Sequence, residues 1–222
     1  MAIERTTDVD AVCWDWNGTL LDDAAVALQA MNAVLRERDL PVLADADAYR
    51  RVFGFPVRAF YARLGIEGAG FRSAADRYLA LFAALVGQAP LHADAVATLE
   101  TVRRLGVGQV LISATVVDVL ARQLAPHAIT GRFDRVLGIT DAYAASKADV
   151  VATWLRSSGH DPARVLMVGD TNHDEEIADA LGVRLVRFAR GHQEPPGHDR
   201  HPVVHHLRDV VPYVRGAVAA RP

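Results

Sequence analysis

Asp15 stands where an apolar run, Val12-Cys13-Trp14, gives way to a polar turn, Asn17-Gly18-Thr19. A carboxylate in that position is poised for chemistry, but Asn17, two residues on, carries an amide that neither gives nor takes a proton in the working pH range. Three further positions have the same character: Ser113 follows a second apolar run, Lys147 opens a helical pattern after a polar loop, and Asp170 with Asp174 follows the apolar run Val165-Leu166-Met167-Val168. Taken singly each has a plain structural use, as a turn residue, a helix cap or a surface charge. Together they suit phosphoryl transfer. An aspartate can attack phosphorus, a hydroxyl and backbone amides can hold phosphoryl oxygens, a lysine can offset their charge, and paired acids can hold Mg²⁺.

Those residues need a scaffold that gathers loop ends. Runs at 11–16, 109–113, 135–139, 164–168 and 183–188 read as strands, and helical patterns lie between them. Such alternation predicts an α/β fold with a doubly wound parallel sheet, whose ligands bind outside the carboxyl ends of the strands. From residue 21 to residue 91 there is no strand pattern, only helical ones at 24–38, 46–53, 56–64 and 71–86. The expected organisation is therefore a discontinuous core, 1–20 and 92–222, interrupted by a helical cap at 21–91. The pair Trp14 and Trp16 is expected to straddle the two faces of the first strand and to serve core packing.

Composition narrows the function classes. With 222 residues, 51% of them hydrophobic, the chain can bury a substantial core. A net charge of -3 gives no footprint for nucleic acid or an anionic membrane, so the expected partner is a small molecule bound by a monomer or homodimer. The lone cysteine, Cys13, and the absence of a basic-then-apolar leader lead us to expect a cytoplasmic protein. Among 24 basic residues Lys147 is the one lysine, which singles it out against an arginine background. The histidines from His192 to His206 follow no compact zinc spacing.

The ordered set Asp15-Trp16-Asn17-Gly18-Thr19, Ser113, Lys147 and Gly169-Asp170-Thr171-Asn172-His173-Asp174 resembles the four motifs of the haloacid dehalogenase-like hydrolases, in their phosphoglycolate phosphatase-like branch. The resemblance implies a Rossmann-like core and an Mg²⁺-dependent phosphatase acting on a small phosphorylated metabolite through an aspartyl phosphate. It implies Asp15 as nucleophile; Asp15, the backbone carbonyl of Asn17 and Asp170 as metal ligands with Asp174 in support; and Ser113, Ala114, Lys147, Gly18 and Thr19 around the phosphoryl group. Arg58, at the start of a cap helix, is the expected substrate clamp. Asn17 departs from the family pattern, which has a proton-carrying aspartate there. That departure implies slowed hydrolysis, with phosphotransfer or a catalytically weak phosphate-binding role as alternatives, and with His173 or Asp22 as candidate replacements for the lost acid-base group.

Overall fold

The computed structural model describes residues 8–140, 146–197 and 200–216. In chain order its elements are β1 (Ala11–Trp14), the helices α1 (Ala24–Arg36), α2 (Ala46–Val52), α3 (Val57–Arg63), α4 (Gly70–Leu85) and α5 (Ala95–Arg104), then β2 (Gly108–Val116), α6 (Val117–Leu124), β3 (Arg135–Ile139), α7 (Lys147–Ser158), β4 (Val165–Gly169), α8 (Asn172–Leu181), β5 (Arg184–Phe188), β6 (Val203–Val204) and α9 (Val211–Val214).

Among the described residues six strands form one parallel sheet in the order β3-β2-β1-β4-β5-β6. The chain winds outward in one direction from β1 through β2 and β3, and in the other from β4 to β6. The crevice between β1 and β4, where the direction reverses, is where this topology admits a ligand. Every residue of β1 and β4 is buried, because helices cover both faces of the sheet. Alternation along β1 sends Val12 and Trp14 into a core shared with α5, α6 and α9, while Ala11 and Cys13 enter a core shared with α7 and α8.

Trp16 lies in the same core as Trp14, and both are fully buried. The pair does not straddle the sheet, since residues two apart on an extended chain share a face. Each indole N–H has a buried acceptor, Trp14 in Gln109 Oε1 at 3.1 Å and Trp16 in Gln123 Oε1 at 2.8 Å.

Two details bear on the site. β2 runs past Ser113 to Val116, with a register shift against β3 between Ile112 and Val116. A bulge of this kind re-aims side chains, here those of Ser113, Ala114 and Thr115. Helices α1–α4 form a second packing unit around Met31, Tyr49, Phe60 and Tyr61. The chain enters and leaves that unit through two adjacent segments joined by backbone hydrogen bonds, Asp22 N to Pro90 O at 2.8 Å and His92 N to Leu20 O at 3.0 Å. Among the described residues no helix is long and apolar enough to cross a membrane.

Candidate active site

Asp15 follows β1 directly, and its amide donates to Val168 O of β4 at 2.9 Å, which ties the loop to the crevice. Lys147, at the first turn of α7, is buried with its ammonium between two carboxylates: it donates to Asp15 Oδ1 and, at 2.6 Å, to Asp174 Oδ1. The other Asp174 oxygen accepts from the amide and hydroxyl of Thr171 at 3.0 and 2.9 Å, so Asp174 fixes the start of α8 as well as the lysine. Asp170 Oδ1 accepts from the Thr19 hydroxyl at 3.1 Å, and Oδ2 accepts from the His192 amide at 2.6 Å.

Asp15, Asp170 and Asp174 each bring a carboxylate oxygen within 4.8 Å of the others. Burial pushes the Asp15 carboxyl up, to about 8, against the pull of Lys147, and the charges of Asp174 and Asp170 add to the rise. Burial also raises Asp170, whereas at Asp174 the charge and hydrogen bond of Lys147 outweigh burial and hold the carboxyl below its usual value. Lys147 itself is raised, because Asp15 and Asp174 more than offset the cost of burying its charge. Three buried acids around one ammonium form a hard, oxygen-rich cluster, short of positive charge, of the kind that suits a small divalent cation.

Asn17 is held from both ends. Its Oδ1 accepts from the Thr115 hydroxyl at 3.0 Å, and its Nδ2 donates to Asp23 Oδ2 at 2.7 Å. Asp23, fully buried, also accepts from the Gly18 amide at 2.7 Å and lies 3.0 Å from His192 Nε2. Burial disfavours a charged His192, but Asp23, aided by Asp170 and Asp15, raises its pKa to about 9. The other ring nitrogen of His192 meets the Tyr49 hydroxyl at 3.0 Å, so a polar chain runs from Asn17 through Asp23 and His192 into α2.

Above these groups is a cavity of about 160 Å³. Its core-side wall is made by Asp15, Asn17, Ser113, Ala114, Lys147, Thr171, His173 and His192, and the helical unit closes it with Tyr49, Phe53, Phe55, Tyr78 and Phe82. Asn172 clamps the two sides together: its Oδ1 accepts from the Phe55 amide and its Nδ2 donates to Phe55 O, both at 2.9 Å. Nearby, Arg50 of α2 donates to Gly191 O at 2.9 Å.

Asp15, Asn17, Ser113, Ala114 and Lys147 thus meet at one cavity, with Asp170 and Asp174 buried beside it. Gly18 and Thr19 are placed differently from expectation. Their amides are engaged by Asp23 Oδ1 and Trp16 O, because the turn closes on itself. Gly18 has φ +77°, and a Cβ built there would collide with the Asp170 carboxylate and the His192 ring, so the glycine serves close packing beneath the site. Arg58 is also a correction. It is exposed, with its guanidinium 4.4 Å from the centre of the Phe71 ring, and the cavity wall in that region is Phe53 and Phe55 instead.

Of the two suggested acid-base replacements, Asp22 lies outside the cavity wall, 3.7 Å from His92 Nδ1. His173 does line the cavity, stacked 4.7 Å from Phe55, and burial lowers its pKa and favours the neutral ring. The residues missed from sequence are Asp23, His192, Tyr49 and Thr115. A second aspartate beside Asp22 and a second hydroxyl two residues past Ser113 are the faint signals for Asp23 and Thr115; His192 and Tyr49 carry none, since each reaches the site across the fold.

The match to proteins of known family accords with this geometry. The family model for haloacid dehalogenase-like hydrolases matches residues 12–188. The chain is 28% identical over 195 residues to the phosphoglycolate phosphatase of Caulobacter vibrioides, covering 83% of this chain and 81% of that protein. It is also 28% identical over 191 residues to the tyrosine-protein kinase PtkA of Mycobacterium tuberculosis, covering 82% of this chain and 62% of that one. The fold is similar to that of a haloacid dehalogenase-like hydrolase from Streptococcus pneumoniae, with a TM-score of 0.78 at 21% identity, over 93% of this chain and 98% of that chain. With the family model spanning both halves of the sheet and the motif residues meeting at one cavity, this chain belongs to the haloacid dehalogenase-like hydrolase family.

Proposed function

We propose that the protein is a Mg²⁺-dependent phosphoric monoester hydrolase that acts on a small phosphorylated metabolite through an aspartyl phosphate on Asp15, with its second half-reaction slowed by Asn17. The observation that carries this reading is the placement of Asp15: a strand-end carboxylate at the cavity wall, flanked by Lys147, Ser113 and two further buried acids. Mg²⁺, when bound, supplies positive charge that offsets the phosphoryl oxygens. Asp15 and Asp170 would hold it with the backbone carbonyl of Asn17, whose side chain is engaged elsewhere, while Asp174 supports the site through Lys147.

In the first step an Asp15 oxygen forms a bond to phosphorus and the ester P–O bond breaks, its electron pair leaving with the departing oxygen. Lys147 and Ser113 hold charge on the transferring group in a partly dewatered space. Water then forms a bond to phosphorus as the bond to the Asp15 oxygen breaks, its electron pair returning to the carboxylate and the proton of the water passing to solvent. An amide fixed between Thr115 and Asp23 cannot take the proton of that water, so the phosphoenzyme should persist.

The same amide favours a second reading, phosphotransfer, in which another acceptor takes the phosphoryl group before water does; the similarity to a protein named a tyrosine kinase is in keeping with it. A catalytically weak phosphate-binding protein is the third. Phosphate release from a metabolite panel with and without Mg²⁺, combined with acid quenching to trap the phosphoenzyme, separates them. Release that EDTA abolishes supports the hydrolase. A trapped Asp15 phosphate that an added acceptor discharges faster than water supports transfer. Phosphate binding without either supports the third.

A further inference from the structure

We infer that the substrate is a phosphate monoester of an uncharged, ring-sized group with an acidic hydroxyl, of the phenol or enol type, and that it carries no second anion. This rests on the hydrolase reading above and names its substrate class. Two independent features point the same way. The first is the helical wall of the cavity, made of Tyr49, Phe53, Phe55, Tyr78 and Phe82, with no charged side chain from that unit among the described lining residues. Three arginines of the unit are engaged elsewhere, Arg58 over Phe71, Arg63 on Val52 O and Arg77 on Glu37, and Arg50, the one that reaches across to the core side, donates to Gly191 O without lining the cavity. On the core side Lys147 is already paired with Asp15 and Asp174, and both ring nitrogens of His192 are taken, by Asp23 and by the Tyr49 hydroxyl. A carboxylate or second phosphate on the leaving group would therefore lose its water against aromatic rings with no free partner. At about 160 Å³ the cavity, which must also take the phosphoryl group, sets one ring as the upper limit for the leaving group, since a cavity of roughly 150 Å³ holds a single benzene.

The second feature is Asn17, locked by Thr115 and Asp23 and unable to protonate a leaving oxygen. When the Asp15–phosphorus bond forms, the electron pair of the broken P–O bond stays on the departing oxygen, which must leave as an anion and take its proton from water afterwards. A phenolate or enolate leaves in this way far more readily than an alkoxide.

The test separates recognition from chemistry. Benzylphosphonate and phosphonoacetate, neither of which can be hydrolysed, are titrated calorimetrically into the full chain with Mg²⁺. We expect benzylphosphonate to bind at least about tenfold more tightly, and Phe55→Arg, which adds a cation at a loop position of the wall, to reverse the order. Equal affinities, or tighter phosphonoacetate, in the unaltered chain would overturn the inference whatever the variant does. In parallel, kcat/KM for phenyl phosphates of graded leaving-group pKa and for propyl phosphate should fall steeply as that pKa rises; a flat series would overturn the leaving-group part. If no ester turns over and no phosphoenzyme is trapped, the hydrolase reading fails, and the order of the two phosphonates still decides the shape and charge of the ligand.

Discussion

The two sides of the cavity are built on opposite principles. On the core side nearly every polar atom has a fixed partner: Lys147 between two carboxylates, Asp170 between Thr19 and the His192 amide, Asn17 between Thr115 and Asp23. On the helical side the wall is aromatic, and its ordering comes from ring contacts such as Tyr78 with Phe82 and Phe53 with Phe60. Charge held by directional bonds can be aimed at a reacting atom, whereas an apolar wall excludes water and selects by shape. The core side should therefore govern rate and the helical side choice of substrate.

The hardest test of that division is Asp15→Asn, expected to lower turnover by roughly a thousandfold or more with the fold intact, as for other nucleophiles. Phosphate release and circular dichroism check it together, and a variant keeping a tenth of the activity would remove Asp15 from the nucleophile's role. Lys147→Ala should lower kcat by about a hundred- to a thousandfold, the usual loss when a preorganised charge donor is removed. An exposed arginine change, Arg122→Ala, serves as the control and should leave kcat unaltered.

A smaller effect, of opposite sign, comes from Asn17. Asn17→Asp alone would set two carboxylates face to face where Asn17 Nδ2 now donates to Asp23 at 2.7 Å, so repulsion should blunt any gain. Combined with Asp23→Asn, which restores a donor opposite the new acid, it should raise alkyl phosphate hydrolysis by about ten- to a hundredfold. Steady-state rates of the single and double variants measure the difference, and a larger gain from the single change would contradict the role given to Asp23. The last change is Asn172→Ala, which removes the two hydrogen bonds to Phe55 and acts on binding alone. At roughly 0.5–1.5 kcal/mol for each net hydrogen bond the pair comes to about 1–3 kcal/mol, so KM should rise at least about fivefold with kcat little changed. A fall in kcat alone would place Asn172 on the rate side of the comparison.

The core side was largely legible from sequence because its parts sit on short, strongly patterned segments. The apolar runs that end at Asp15 and Asp170 mark strand ends, and the helical pattern beginning at Lys147 marks a helix start; each lies where expected to within a residue or two. β6 was missed, since two residues in a Pro- and Gly-rich stretch carry no alternation to read. The charge of Arg58 and its place at a cap helix start that resembles a substrate-facing one point to a clamp, yet neither says which side of a short helix faces the cavity. Phe53 and Phe55 instead line that wall.

The sequence by itself determined the parallel α/β plan, the helical insertion after β1, and the acids, serine and lysine that meet at the strand ends, because periodicity and strand-end polarity are local properties of the chain. The tertiary structure alone decided that Asn17 is locked by Thr115 and Asp23, that His192 links Asp23 to Tyr49, and that the wall facing Asp15 is aromatic. Those contacts join residues as far apart in the chain as Asp23 and His192, and only the packing of the helical unit against the sheet brings such partners within hydrogen-bonding distance.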